Sequence, residues 1–406
     1  MVFPLGIIEE IFYADNVWFV KIFNLCLKFD IFPKIWKESK VVLIPKSNKD
    51  LSNFESYRPI CLLAVWGKIL DRLMAQRLVF YLETNNLLDH SQYGFREGMG
   101  TLAALKEVNK FIDSAKNENL VTCLISLDIK YAFNSIRWVD IINLLKLYKI
   151  PVKLLKLFRS FLNDRIIFLE IGNKFYYNIG VPQCSSCGPI LWLIVANEAL
   201  KLFPEREDIR AQAFADDFAV LIKASASYKF SEISKNIISG FESWACRFNL
   251  RFSENKTKYI MFKVRKNITH FPGIYLYGKR ISYTREMKYL GIDFDPNHSF
   301  MVHLQRVQEK IIRINEKLRR IIRATWGLRP EMVKEVYLTI LERIILYGVE
   351  IWYRNIVKMN MKLLQIQRYA LLSITKAYRT TLNEALQILS GCIPIDLKAQ
   401  MLLELD

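Results

Sequence analysis

The 406-residue chain contains no apolar run that reaches the roughly 20 residues needed to span a bilayer. The N-terminus also lacks the basic stretch followed by an apolar stretch that marks a secretory signal. Internal repeats and low-complexity segments are absent as well. These absences exclude membrane-spanning, repeat and disordered classes, and we expect an intracellular globular protein.

Cysteine is scarce and odd in number. Seven cysteines in a chain of this length do not indicate a disulfide framework. Cys184 and Cys187 form a CxxC pair, and no second pair stands at the spacing of zinc ligands. Because structural zinc normally takes four nitrogen or sulfur ligands, a metal or redox role for these cysteines is disfavoured.

Acidic residues are in deficit relative to basic ones. The chain has 58 Lys and Arg against 40 Asp and Glu, a formal net charge of +18. Such an excess bears on partners and solubility, whereas it does not specify a fold. Nucleic acid is the first candidate partner, and an anionic membrane surface is the alternative. With 52% hydrophobic residues the chain can bury a sizeable core, and its length predicts two or three domains.

Two adjacent acids interrupt an apolar segment at residues 211–223, which reads AQAFADDFAVLIK. Each flank has the length of a buried strand, and Asp216 and Asp217 fall where the chain must reverse. We therefore predict a hairpin that presents both carboxylates. Adjacent carboxylates repel and are costly to bury unless a cation neutralises them. Mg²⁺, which prefers hard oxygen ligands, accounts for the pair, and a turn exposed to water is the alternative.

A third carboxylate ends another predicted strand, because the apolar run from Val121 to Leu127 leads to Asp128. Polymerase chemistry needs two Mg²⁺ ions roughly 4 Å apart, and Asp128, Asp216 and Asp217 would supply their protein ligands. The sequence D-I-K-x-A-F, followed at this distance by F-A-D-D, resembles motifs A and C of a reverse transcriptase. In these motifs the chain is most similar to the enzymes of non-LTR (LINE-type) retrotransposons.

The resemblance implies a fold, an activity and partners. The implied fold class is α+β, a right-hand polymerase with fingers over 1–120, a palm with an antiparallel sheet over 121–297, and a helical thumb with C-terminal helices over 298–406. The implied activity is RNA-directed DNA polymerisation, in which dNTPs are added to the 3′-end of a DNA primer on an RNA template. Two Mg²⁺ ions, for which Mn²⁺ can substitute, would be the cofactors. A nuclear location is also implied, with no membrane and no obligate protein partner.

The resemblance also assigns substrate contacts. Lys46 and Arg58 match residues of the fingers that contact the incoming triphosphate, a task suited to a point charge and a rigid guanidinium fork. Phe133 matches an aromatic steric gate, whose ring leaves no room for a 2′-hydroxyl. Gln183 matches a residue that supports the template-primer and the nucleotide pocket, and Lys256 matches a general acid near the leaving pyrophosphate. Solvated loop charges and ordinary core packing are the alternatives for these residues.

Contacts with nucleic acid are expected in two places. Arg96, in the segment Q-Y-G-F-R, matches an element that lines the template path, and the glycine beside it permits close backbone approach. From Leu304 onward, apolar residues recur at steps of three and four, which predicts an amphipathic helix in the thumb. A solvated face or a short coiled coil is the alternative to a face that meets phosphate. Basic residues at the same spacing would make the phosphate contacts: Arg306, Lys310, Arg313, Lys317 and Arg320.

Three positions depart from the pattern of the family. Asn134 stands where a second acid is usual, and Cys184 and Cys187 replace a glycine and a leucine of motif B, which here reads GVPQCSSCGPIL. A cysteine in place of glycine adds a side chain where nucleic acid passes close to the backbone. A catalytically impaired remnant that only binds nucleic acid is therefore one alternative. An RNA-directed RNA polymerase is another, although Phe133 speaks against it.

Overall fold

The computed structural model describes residues 5–46, 50–53, 56–169, 172–182, 184–203, 206–262, 272–322 and 327–404. The chain forms two compact units. Unit 1 comprises Met1–Ala104, Ile125–Thr257 and Pro272–Ser282, and unit 2 comprises Leu105–Leu124, Lys258–Phe271 and Tyr283–Asp406. Within the described residues, no helix has the length and apolar character needed to cross a bilayer. The boundaries of fingers, palm and thumb stay a prediction.

Helices and short strands alternate along the chain. The α-helices are α1 (Leu5–Ala14), α2 (Asn16–Phe29), α3 (Val65–Thr84), α4 (Thr101–Asn117), α5 (Ala132–Ser135), α6 (Trp138–Leu147), α7 (Val152–Leu162), α8 (Cys187–Leu200), α9 (Ser227–Arg247), α10 (Met301–Ile321), α11 (Pro330–Val336), α12 (Glu342–Ile345), α13 (Val349–Trp352), α14 (Val357–Thr375), α15 (Asn383–Ser390) and α16 (Ile395–Glu404). A 3₁₀ turn spans Lys34–Lys37, and a π-helical turn spans Tyr337–Leu341. The strands are β1 (Glu38–Pro45), β2 (Tyr57–Leu63), β3 (Val121–Asp128), β4 (Arg165–Phe168), β5 (Lys174–Tyr177), β6 (Ile209–Phe214), β7 (Asp217–Ala224), β8 (Lys258–Phe262), β9 (Tyr275–Leu276), β10 (Lys279–Arg280), β11 (Ser282–Tyr283), β12 (Met287–Tyr289) and β13 (Ile292–Phe294).

One sheet of unit 1 has the strand order β2-β1-β4-β5. β1 pairs antiparallel with β2, so that Ile44 lies opposite Arg58. The ladder continues past the strand ends, because Lys46 N–H donates a hydrogen bond to Ser56 O at 2.7 Å. The two residues predicted to contact the triphosphate therefore come from a single hairpin.

A second sheet carries the acidic residues. β6 pairs antiparallel with β7, which lies beside the C-terminal part of β3. Every residue of β7 after Asp217 is buried, as expected for a strand that is covered on both faces. The apolar helix α8 is buried along nearly its whole length and packs against α3, α6, α9 and β6. This core fixes the strand ends from which the carboxylates project.

Unit 2 is built around α14, which packs against α10, α11, α15 and α16. Helix α10 contains the amphipathic segment predicted from Leu304 onward. Its residues Leu304, Val307 and Ile311 are buried, which confirms the predicted packed face in the first half of the helix, whereas Ile321 at its end is 48% exposed. The antiparallel hairpin β12–β13 also packs against α10 through β13. The basic face of α10 is therefore presented by a well-anchored helix.

Candidate active site

The predicted hairpin at residues 211–223 is confirmed. β6 and β7 pair with Phe214 opposite Asp217. Ala215, held at φ +59°, and Asp216 form the turn between them. One carboxylate thus belongs to the turn itself and the next belongs to the first residue of β7.

Gly94 fixes the position of this turn. A Cβ on Gly94 would stand 2.2 Å from the backbone nitrogen of Ala215, so a larger residue cannot fit unless the turn moves. The neighbouring backbone is paired, because Tyr93 N–H donates to Ala213 O at 2.8 Å and Ala213 N–H donates to Ser91 O at 3.0 Å. The segment that resembles a template-path element therefore also supports the acidic turn.

Asp128 ends β3, and a later segment of the chain folds against it. Lys130 N–H donates to Arg251 O at 2.8 Å, and Ser253 N–H donates to Asp128 O at 2.7 Å. A turn then brings Lys256 Nζ to 3.0 Å from Asp128 Oδ2. This contact is an ion pair outside hydrogen-bond geometry, since Oδ2 accepts no hydrogen bond from the described residues. The predicted general acid and the first predicted metal ligand are neighbours.

The carboxylates carry an excess of negative charge. Burial, with the added repulsion of Asp216 and Asp128, raises the pKa of Asp217 to about 6. Burial likewise raises the pKa of Asp216. The charge of Asp128 raises this pKa further, and the charge of Lys256 lowers it. Because Asp217 still reaches solvent at the start of β7, water screens part of this repulsion. A bound cation would stabilise the ionised form of these acids.

The chemistry of these donors fits Mg²⁺. Proteins usually hold Mg²⁺ through one or two carboxylates, while water and substrate phosphates complete its coordination. In the described part of the chain, no three His, Cys, Asp or Glu side chains are placed to hold a metal ion by themselves. The buried Asp128 Oδ2, which accepts no hydrogen bond there, is an acceptor suited to a metal ion. This arrangement is the one expected if substrate supplies the remaining ligands.

A cavity of about 1100 Å³ has Asp128 and Asp216 in its wall. The same wall includes Lys46 and Arg58 from the β1–β2 hairpin, together with Lys256. Arg58 is exposed, and its guanidinium makes no hydrogen bond or ion pair with other described residues. Cations and carboxylates in the wall of one cavity can bind a triphosphate together with its metal ions.

Phe133 lies in α5 and lines the same cavity. Its ring contacts the rings of Phe95 and Trp192, with centroid separations of 6.5 and 5.6 Å. The side chain is half-buried, so part of it packs against the protein and part faces the cavity. This position is compatible with a steric gate, and that role stays a prediction.

Motif B begins where the chain contacts motif A. Gly180 has φ +76°, and a Cβ there would lie 2.8 Å from the main-chain oxygen of Asn134. Val181 N–H donates to Phe133 O at 2.8 Å, and Trp138 Nε1–H donates to Gly180 O at 2.6 Å. The contact at Asn134 involves its main chain, so it does not depend on whether the residue is Asn or an acid.

The two cysteines of motif B have different environments. Cys184 is exposed, lines the cavity and has φ +78°. Glycine adopts this left-handed conformation freely, whereas a residue with a Cβ adopts it at a cost. Cys187 is fully buried, and its thiol donates to the main-chain oxygen of Asp71 at 3.2 Å. Gln183, which directly precedes Cys184, lies outside the described residues.

Two of the predicted nucleic-acid contacts are engaged within the protein instead. Arg96 is largely buried and forms a bidentate pair with Glu83, with both N–O distances at 2.8 Å. Arg306 pairs with Asp293 and Glu286. The Arg96 side chain is only 11% exposed, so its guanidinium is occupied by Glu83, whereas 44% of the Arg306 side chain is exposed and contact of Arg306 with phosphate stays a prediction. Both arginines therefore brace the protein here, a role that local sequence patterns did not indicate.

The rest of the predicted basic face of α10 is exposed. Lys310, Lys317 and Arg320 make no hydrogen bond or ion pair with residues that the structure describes. Arg313 donates to Glu309 O at 3.3 Å, a contact within the helix that leaves most of its guanidinium accessible. These four cations are free to meet an external anion.

The chain is similar to a known protein family and to several known proteins. The family described as reverse transcriptase (RNA-dependent DNA polymerase) matches residues 44–294. A putative 115 kDa protein in the type-1 retrotransposable element R1DM of Drosophila melanogaster is 27% identical over 94% of this chain and 37% of its own length. The RNA-directed DNA polymerase from the mobile element jockey of the same organism is 28% identical over 82% of this chain and 37% of its own length. A solved telomerase from Candida tropicalis, in complex with a TWJ fragment of telomeric RNA, is 13% identical with a TM-score of 0.48, over 96% of this chain and 67% of that one.

The chain spans less than half the length of these two curated relatives. The matched family covers most of the chain, including motifs A, B and C, and the relatives belong to mobile elements, which confirms the predicted resemblance. The family match, with the mixture of helices and sheets, also confirms the predicted α+β fold class of right-hand polymerases. The chain belongs to the reverse transcriptase (RNA-dependent DNA polymerase) family.

Proposed function

We propose that this chain is an RNA-directed DNA polymerase of a non-LTR retroelement. It adds dNTPs to the 3′-end of a DNA primer, copies an RNA template and releases pyrophosphate. The observation that carries the proposal is the cavity whose wall combines Asp128 and Asp216 with Lys46 and Arg58. A nucleoside triphosphate and its metal ions need this combination of anionic and cationic groups.

Three acids would hold the metal ions, namely Asp128, Asp216 and Asp217. When bound there, two Mg²⁺ ions, or Mn²⁺ in their place, activate the 3′-hydroxyl and neutralise charge on the triphosphate. Asp217 is mostly ionised above pH 7, because its pKa is about 6. The hairpin and Gly94 hold the turn in place before substrate arrives, which lowers the cost of assembling the site.

The cations of the cavity would act on the triphosphate. Lys46 and Arg58 would bind its oxygens and so restrict the position of the reacting phosphorus. Lys256, whose side chain is 63% exposed beside Asp128, would donate a proton to the leaving pyrophosphate. The proton transfer is favourable because the leaving group gains negative charge as the bond to it breaks.

Specificity and nucleic-acid binding would use other residues. Phe133 would exclude the 2′-hydroxyl of ribonucleotides, and Gln183 would support the nucleotide and the template-primer. Helix α10 would contact the duplex backbone through the exposed cations of its basic face, Lys310, Arg313, Lys317 and Arg320. Arg96 and Arg306 would support these surfaces through their carboxylate partners. Because the relatives belong to mobile elements, we also propose a nuclear location, with no membrane and no obligate protein partner.

Primer extension on poly(rA)/oligo(dT) tests the proposal. The wild type should extend the primer with dTTP and far less with UTP. Asp216→Asn or Asp128→Asn should abolish extension and leave RNA binding largely intact, because metal ligation and phosphate contact use different residues.

Each contrary outcome has its own meaning. Retained extension in either variant would refute the assignment of the site. Equal use of UTP and dTTP would favour an RNA-directed RNA polymerase. A wild type that binds RNA and extends nothing would favour the impaired, binding-only remnant.

A further inference from the structure

Asp71 is a buried carboxylate that the proposed mechanism does not use. It lies in α3, and only 1% of its surface is exposed. A buried carboxylate is costly unless hydrogen bonds compensate for the lost water. The hydrogen-bond partners of the Asp71 carboxylate therefore indicate its role.

Among the described residues, all the partners of the Asp71 side chain lie in motif B, more than 100 residues away in sequence. Oδ1 accepts hydrogen bonds from Ser185 Oγ at 2.9 Å and from Cys187 N–H at 3.1 Å. Oδ2 accepts from Ser186 N–H at 2.6 Å. Ser185 Oγ in turn accepts from Gly188 N–H at 3.2 Å. The carboxylate and this hydroxyl together satisfy the free N–H groups at the start of α8, where negative charge is favoured.

The thiol of Cys187 adds a further link to the same residue. Its Sγ donates to the main-chain oxygen of Asp71 at 3.2 Å. Burial and the nearby Asp71 keep the pKa of this thiol well above its usual value, while Arg165 opposes them. The group is therefore a neutral donor, and cysteine at this position strengthens the link between α3 and motif B.

The same segment forms part of the catalytic cavity. Cys184, Ser185 and Gly188 line the cavity that also contains Asp128 and Asp216. Asp71 does not line it and stands behind this part of the wall. A displacement of Ser185 to Cys187 would move the wall without changing any group that touches substrate.

We propose that Asp71 is a positioning residue, which holds the motif B loop and the first turn of α8 against the nucleotide cavity and thereby sets the KM for the incoming dNTP. The inference rests on the proposed polymerase function. Asp71 touches neither substrate nor metal ion. Its effect passes through Ser185, Ser186 and Cys187.

Asp71→Asn is the first test variant. Asparagine keeps the size of the side chain, but its NH₂ group donates and cannot accept. Either the Ser186 N–H, or the Ser185 hydroxyl and the Cys187 N–H together, therefore lose their acceptor. The loss of one hydrogen bond to a charged group corresponds to roughly a tenfold change in an equilibrium. We expect the KM for dTTP to rise about tenfold on that basis, with the Kd for template-primer unchanged. Ser185→Ala should raise the KM less, and the double variant should show less than the product of the two effects, because both changes break one network.

Asp295→Asn is the matched control. Asp295 is also buried, and its carboxylate accepts hydrogen bonds from Ser299 N–H at 3.0 Å and Phe300 N–H at 2.7 Å just before α10. It is not part of the cavity wall. Its loss should lower the melting temperature by a similar amount and leave the KM for dTTP unchanged.

A second readout does not depend on polymerase activity. Cys184 is exposed in the loop, so the rate of its alkylation by iodoacetamide depends on the geometry of the loop. All variants carry Cys246→Ser, which removes the other exposed thiol. The alkylation rate should change several-fold in Asp71→Asn and stay constant in Asp295→Asn. If the wild type extends no primer, the polymerase proposal fails and the alkylation rates alone decide the role of Asp71.

The proposal is overturned if Asp71→Asn behaves as Asp295→Asn does. In that case the melting temperature falls, while the KM for dTTP and the alkylation rate of Cys184 stay at wild-type values. Asp71 would then stabilise the fold and nothing more.

Discussion

Replacing Cys184 by glycine should accelerate primer extension. Cys184 has φ +78° and lines the catalytic cavity. The substitution removes two features at once, the Cβ that is unfavourable at this φ and a sulfur atom in the wall of the cavity. Both features stand where the family usually has a bare backbone.

The two parts of the effect differ in size. A left-handed conformation costs a residue with a Cβ about 1–2 kcal/mol. Glycine also makes the unfolded chain more flexible, which offsets about 0.5–1 kcal/mol of the stability gained by relieving this strain. The free energy of unfolding should therefore rise by no more than about 1.5 kcal/mol. If about 1.4 kcal/mol of transition-state alignment is recovered, the rate should rise about tenfold.

The assay is the pre-steady-state rate of dTTP addition at equal template occupancy. Cys184→Ala is the matched control, because it removes the sulfur and keeps the Cβ at the same φ. A gain in both variants would identify the sulfur as the obstacle, and a gain in glycine alone would identify the backbone. Cys187→Leu should not gain, since it overfills a fully buried site and loses the hydrogen bond to Asp71.

An equal or lower rate for Cys184→Gly would refute this reasoning. It would mean that the loop has adapted to cysteine, or that the site is silent for another reason. The melting temperatures of the variants would separate these two explanations from a general loss of folded protein.

Three further predictions follow from the same structure. Phe133→Ala should admit ribonucleotides, because the ring lines the cavity, and an unchanged dTTP/UTP preference in primer extension would leave Phe133 as ordinary core. Replacing Arg313 and Lys317 together by Gln should flatten the salt dependence of duplex binding by about two units of slope, because each phosphate contact contributes about one; a slope equal to that of the wild type would assign this face of α10 to solvent. The pKa of Asp217 is raised to about 6 in the folded protein, so its contribution to stability is fully present below the ordinary carboxyl pKa and is lost as the pH rises through 6. In EDTA, Asp217→Asn should therefore melt higher than the wild type above pH 6 and converge with it towards pH 4; identical melting curves across that range would show that burial and the neighbouring acids do not raise this pKa.

The sequence by itself determined the local elements of the site. An apolar run that ends in an acid predicted β3 with Asp128 at its end, and two runs around a pair of acids predicted the β6–β7 hairpin. The three- and four-residue spacing from Leu304 predicted α10 and its buried face. These features follow from side-chain periodicity over neighbouring residues, which the sequence displays directly.

Only the tertiary structure decided which basic side chains are available to phosphate and which residues hold the candidate active site in place. The sequence predicts phosphate contacts for Arg96 and Arg306, and only the tertiary structure shows that both also pair with carboxylates. The approach of Gly94 to Ala215 and the hydrogen bonds of Asp71 to motif B join segments more than 100 residues apart. Such contacts leave no periodic signal, because they depend on how the core brings distant segments together and on which buried polar groups must then find partners. For that reason the sequence identified the candidate acids, and the fold identified the residues that hold them in place.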